Sequence, residues 1–157
     1  MKNLFITIGI PGCGKTTWVK NKIKEIGGVH ISRDEIRFSL LNENDNYFDK
    51  EIEVFEKFIN TIQESIDNEI DNNIFIDATH LSESSRNKLL SRIDIKDNKI
   101  TFVNFEVPLE IALERNEKRT GRAFVPRGQI RRMFFQKDLI GLTNKTIITI
   151  NERGEQM

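Results

Sequence analysis

Lys15 and Thr16 end the stretch Gly9-Ile-Pro-Gly-Cys-Gly-Lys-Thr16, which fits the phosphate-loop pattern G-x-x-x-x-G-K-[ST] at every position. Residue type dictates the chemistry. Gly9, Gly12 and Gly14 let the backbone curl until successive N–H groups aim at one anion. A helix beginning near Lys15 adds the positive end of its dipole. The Lys15 ammonium is placed to reach β- and γ-phosphates, and the Thr16 hydroxyl to ligate Mg²⁺. The nucleotide-binding set is therefore Gly9, Pro11, Gly12, Cys13, Gly14, Lys15, Thr16 and Thr17. The only cysteine, Cys13, lies inside the loop, either as a thiol open to alkylation or as a small residue that fits there.

Other residues have types suited to the same chemistry. Asp34 and Arg37 are spaced i, i+3, which puts both on one helix face. An ionised Asp34 is suited to take a proton from an attacking hydroxyl, and Arg37 to hold an acceptor or its phosphate. The competing reading makes Asp34 a first-turn acid that favours the helix dipole. Asp77 ends an apolar run, where an acid faces Mg²⁺ through water, binds substrate, or caps the following turn. Arg115, Arg119 and Arg122 flank a Gly/Pro-containing segment, as a lid over a nucleotide would require; the alternative is a solvated basic face. Trp18 reads as a packing residue, His30 as a structural residue of its strand, and His80 as a candidate lining residue. No Cys/His cluster of zinc spacing occurs, and no G-x-S-x-G.

These residues need a scaffold, and the apolar pattern supplies one. Strands are predicted over 4–8, 29–31, 73–77, 99–105 and 146–150. Helices are predicted over 17–26, 35–41, 48–70, 83–93, 108–118 and 128–138. Ser32-Arg-Asp-Glu35 is a capping box, Gly27-Gly28 a helix stop, and Pro108 a helix start. The long helix carries Ile52, Phe55, Ile59, Ile62, Ile66 and Ile70 at spacings of three or four. Short apolar strands alternating with helices predict an α/β protein with a parallel sheet covered on both faces. Ligands of such sheets bind at the carboxyl ends of the strands. That rule selects residues 9–16, 32–37, 77–80 and 106–107.

At 157 residues, 38% of them hydrophobic and 31% charged, the chain suits one globular domain and not a disordered one. No apolar run reaches the length of about 20 residues that a membrane span needs. Met1-Lys-Asn enters the first strand directly, so no secretory leader is expected. With one cysteine there is no intrachain disulfide, which fits a reducing, cytoplasmic setting. The net charge is zero but unevenly spread. Residues 115–137 hold eight basic side chains against Glu117, whereas residues 43–77 hold eleven acids against Lys50 and Lys57. The basic segment is the candidate anion-binding surface.

Several segments together resemble the kinase domain of the T-even bacteriophage polynucleotide kinase–phosphatase family. They are the run from Leu4 through the phosphate loop to Trp18, then Ile31-Ser-Arg-Asp-Glu-Ile-Arg37 and Ile76-Asp-Ala-Thr-His-Leu81. Phe105-Glu-Val-Pro108, Arg115-Asn-Glu-Lys-Arg119, Val125-Pro126 and Ile130-Arg-Arg-Met133 follow in the same order. The resemblance implies a P-loop fold over residues 1–157, with a lid at about 115–128. It implies transfer of the γ-phosphate of ATP, with Mg²⁺, to the 5′-hydroxyl of DNA or RNA. Lys15 and Thr16 would hold phosphates and metal, with Asp34 as general base and Arg37 at the acceptor phosphate. Asp77 and Thr79 would be acceptor-side residues, and Arg119 the lid arginine on the transferred group, with Arg122 beside it at the nucleotide. By analogy with the adenylate-kinase class, the expected strand order is 2-3-1-4-5. The D-x-D-G-T signature of the family's phosphatase module does not occur, so kinase activity is expected without 3′-phosphatase activity. Two other readings stay open. One is a kinase of a small hydroxylated molecule, such as a nucleoside or antibiotic, which the zero net charge favours and the basic cluster disfavours. The other is a non-catalytic ATP-binding switch module, against which stands a candidate base in the right loop.

Overall fold

Alternating apolar and amphipathic runs give five strands and six α-helices among the described residues, with one 3-10 turn at Gly121–Ala123. They are β1 (Asn3–Ile8), α1 (Lys15–Ile26), β2 (Val29–Ser32), α2 (Arg33–Leu40), α3 (Glu51–Asp67), β3 (Asn73–Asp77), α4 (Glu83–Leu90), β4 (Lys99–Phe105), α5 (Leu109–Glu117), α6 (Arg127–Gln136) and β5 (Ile147–Ile150). The computed structural model describes residues 1–157, except that the side chain of Arg122 lies outside the described residues. The strands form one parallel sheet in the order β2-β3-β1-β4-β5, as predicted. Reversal of strand order at β1 opens a crevice at its carboxyl end, where the phosphate loop emerges.

Successive strand residues face opposite sides, so each face has its own core. Leu4, Ile6 and Ile8 of β1 meet Ile74 and Ile76 of β3, Phe58 and Ile62 of α3, and Leu89 of α4. On the other side Val103 and Phe105 of β4 pack with Ala112 and Leu113 of α5 and Ile130 of α6. Phe5 and Phe75 stack at 4.6 Å, and Trp18 meets both edge-on, which makes Trp18 the packing residue that was expected.

The α3 helix differs from the sequence reading. It spans Glu51–Asp67, not 48–70, and Phe48, Ile52 and Ile70 are exposed. The buried stripe is Val54, Phe55, Phe58, Ile59, Ile62, Ser65 and Ile66. Isoleucine spacing drew the stripe toward the wrong edge, whereas Val54 and Phe58 define the face that meets the sheet. Ser32 caps α2 by accepting from the Glu35 N–H at 3.2 Å, which leaves the following acid, Asp34, on the first turn.

His80 is also a correction. It does not line the cleft, but lies buried against Phe58 with Nδ1 at 2.8 Å from the Thr7 carbonyl. Burial lowers its pKa from 6.5 to about 4, since a charged imidazole there would be desolvated. Between those values the unfolded chain binds a proton that the folded chain excludes. Stability is therefore full at neutral pH and falls on acidification through that window, by about 2–3 kcal/mol at pH 4.5. His80→Asn, which suits the backbone φ of 42° at this position, should flatten that slope. Urea midpoints of both proteins at pH 7 and 4.5 measure it, and parallel slopes would refute the assignment.

Candidate functional site

The phosphate loop joins β1 to α1 with left-handed turns that only glycine adopts easily. Gly14 precedes the helix at φ 96°, and no described side chain caps the first turn, so its N–H groups are open to an anion. Gly12, at φ 84°, is pressed against α5: a Cβ there would come within 2.5 Å of the Ala112 carbonyl oxygen. Lys15 Nζ bends back across the loop and donates to the carbonyls of Gly9 (2.9 Å) and Ile10 (3.0 Å).

Thr16, at the start of α1, and Asp77, at the end of β3, meet beside the loop. The Thr16 hydroxyl donates to Asp77 Oδ2 at 2.9 Å, and His30 Nε2 lies 2.8 Å from the same oxygen. Burial by itself would raise the Asp77 pKa. His30, Lys15 and Thr16 outweigh that effect and hold the carboxyl below its usual range. A hydroxyl beside an ionised carboxylate is a hard-oxygen donor set, and it fits Mg²⁺. Among the described residues no three of His, Cys, Asp and Glu lie together as a metal cage.

Two clefts flank the loop. One, of about 520 Å³, is lined by Pro11, Gly12, Gly14, Lys15, Thr16 and Thr17 on one wall, and by Asp34, Arg37, Asp77 and Thr79 opposite. Val125 and Pro126 of the predicted lid form part of its rim. The other, of about 690 Å³, lies between α1, the α5 end and the turn after β5, where Trp18, Asn21, Arg115 and Arg153 line it. Arg119 borders both. Its guanidinium is exposed and among the described residues makes one long contact, 3.4 Å to the Ala123 carbonyl. Gly9 and Cys13 do not line the first cleft. Their N–H groups bond the carbonyls of Thr79 (3.0 Å) and Ile10 (3.2 Å), and Cys13, though buried, lines the second cleft. The expectation for Arg122 falls outside the described residues.

The wall that carries Asp34 and Arg37 contains partners that the sequence did not reveal. Arg37 is 4% exposed, and its guanidinium is held by Glu51, with Nε at 2.8 Å and Nη2 at 2.7 Å from Oε1. Its Nη1 bonds both Asp34 Oδ1 and the Tyr47 hydroxyl. Asp34 stays 57% exposed toward the cleft. Glu51 is one of eleven acids in its segment, and only its pairing with a buried arginine singles it out. His30, read as structural, is the hydrogen-bond partner of Asp77. The basic segment also divides. Arg115 bonds the Gly12 and Glu152 carbonyls, Arg127 pairs with Glu117, and Lys137 bonds the Phe105 carbonyl at 2.9 Å. It is therefore not one continuous anion-binding face.

A family model described as an AAA domain, AAA_33, matches residues 4–137. Among solved structures, a sugar kinase from Janibacter sp. HTCC2649 is similar, with TM-score 0.69 and 16% identity, over 99% of this chain and 88% of that one. A fungal RNA kinase is similar with TM-score 0.68 and 15% identity, over 95% and 73%. A chain in the structure of the Pnkp1/Rnl/Hen1 RNA repair complex shares 26% identity at TM-score 0.72, over 86% of this chain and 43% of that one. The present chain thus spans under half the length of that last protein. The shared architecture is that of phosphate-loop kinases.

Proposed function

The chain belongs to the AAA domain family AAA_33, and from that premise we propose that it moves the γ-phosphoryl group of ATP to the 5′-hydroxyl end of a polynucleotide. One observation carries the reading: Asp34 stands across a single cleft from Lys15 and Thr16. The donor nucleoside would occupy the larger cleft, with its phosphates over the loop, and the acceptor the smaller one. The acceptor hydroxyl then approaches the γ-phosphorus from the Asp34 side, in line with the departing diphosphate. Asp34 takes the hydroxyl proton. Lys15, the first-turn N–H groups of α1 and Arg119 neutralise charge on the transferring group. Thr16, with Asp77 beside it, would hold Mg²⁺, which supplies charge neutralisation to the β- and γ-phosphate oxygens when bound.

A polynucleotide acceptor is supported by the motif resemblance and by the similarity to a chain of an RNA repair complex. Phe48 supports it too: its ring is exposed at the cleft, where a terminal base can stack. A small hydroxylated acceptor is the second reading. The similarity to a sugar kinase favours it, as does a cleft volume within the small-ligand range. Competition decides between them. With γ-labelled ATP and Mg²⁺, a 5′-hydroxyl oligonucleotide, a nucleoside and a sugar are offered together. We expect the label on the oligonucleotide end; preferential labelling of the nucleoside or sugar would overturn the proposal.

A further inference from the structure

Tyr47, in the turn between α2 and α3, makes contacts that the roles given above leave unexplained. Its hydroxyl lies 2.7 Å from Asp34 Oδ1 and 2.6 Å from Arg37 Nη1. The Arg37 guanidinium lies over its ring, 4.1 Å from the centroid. A guanidinium only donates. The phenolic oxygen must therefore accept from Arg37, and its own hydrogen is left for Asp34. That direction follows from chemistry alone. Arg37 cannot turn away, because Glu51 holds its Nε and Nη2. Asp34 Oδ1 thus receives two donors, Arg37 and Tyr47, while Oδ2 makes no hydrogen bond among the described residues.

We propose that Tyr47 is the positioning residue of the base: its hydroxyl, fixed as a donor by Arg37, holds Oδ1 of Asp34 and leaves Oδ2 to take the acceptor proton. The inference rests on the reading of Asp34 as base. As the acceptor oxygen bonds to the γ-phosphorus, the bond from that phosphorus to the β–γ bridging oxygen breaks. The bridging oxygen leaves with the electron pair on ADP, and the acceptor proton passes to Oδ2. A phenolate would be unable to donate. The charged groups facing the phenol are Asp34 and Arg37 from α2 and Glu51 from α3. Burial and then Asp34 push the phenol above its ordinary range, against the opposing pull of Arg37, so it keeps its proton.

Tyr47 is the only tyrosine of the chain, so its ionisation is read directly by ultraviolet absorbance without any acceptor. The wild-type phenol should stay protonated from pH 8 to 11, and Asp34→Asn should shift its ionisation to lower pH. A wild-type transition near pH 10, the value of a free tyrosine, would overturn the hydrogen bond. Kinetics on a 5′-hydroxyl oligonucleotide provide the second arm. Tyr47→Phe keeps the ring on Arg37 and removes only the donor. It should lower kcat about tenfold, the low end of what a hydrogen bond to a charged group is worth. The acid limb of kcat/KM should move to higher pH, with acceptor KM little changed. An unchanged acid limb and kcat, or a loss confined to KM, would refute positioning. If wild-type protein phosphorylates no acceptor, the functional reading falls, and the tyrosine titration still decides the contact.

Discussion

Arg119→Ala should reduce kcat about a thousandfold, the lower end of what an arginine on a transferring phosphoryl group contributes in phosphate-loop enzymes. The expectation follows from position. Arg119 follows the end of α5, borders both clefts, and among the described residues is held only by a long contact to the Ala123 carbonyl. Among the described residues it has no acidic partner to break before it reaches a phosphate. Arg115, four residues earlier, is engaged with the Gly12 and Glu152 carbonyls and is built into the loop's support. Arg119→Lys keeps the charge but not the planar fork, so it should recover only part of the rate. Single-turnover measurement at saturating ATP separates this loss from nucleotide binding. A variant within tenfold of wild type would assign the transition-state charge to another group.

Asp34→Asn is expected to cost a factor of about 10²–10⁴ in turnover, the range for loss of a general base. Asparagine has nearly the same shape, and its carbonyl oxygen still accepts from Arg37 and Tyr47, so the wall of the cleft should stand. Only the ability to take a proton is lost. ATP affinity should be unchanged, because the donor nucleoside is assigned to the opposite cleft. Transfer of labelled phosphate to an oligonucleotide end, followed across pH, is the measurement. Near-normal turnover in the variant would remove Asp34 from the mechanism and leave it as the first-turn acid of α2.

The two variants probe parts of the site that were unequally legible. The phosphate loop is readable because its chemistry is local. Eight consecutive residues supply the curl, the helix start, the ammonium and the hydroxyl. The sheet was legible for a related reason. Buried parallel strands are continuous apolar runs, and β3 (Asn73–Asp77) and β4 (Lys99–Phe105) fall within the predicted bounds. The α3 helix was less legible, since helical periodicity tolerates a shifted stripe and exposed isoleucines obey the same spacing as buried ones.

Sequence was therefore sufficient for the loop, the strand order by analogy, and the residue types waiting at the strand ends. It could not indicate that Glu51 clamps Arg37, that Tyr47 donates to Asp34, or that His30 shares the carboxylate of Asp77. Each of those pairs is separated by between 13 and 47 residues along the chain. Such partners leave no periodic or local signature. They arise because β2 and β3 lie side by side in register, bringing Ser32 opposite Asp77, and because α2 and α3 pack together beyond the strand ends. Burial then makes the pairing necessary: a guanidinium removed from water requires acceptors, and an acid on a neighbouring element supplies them.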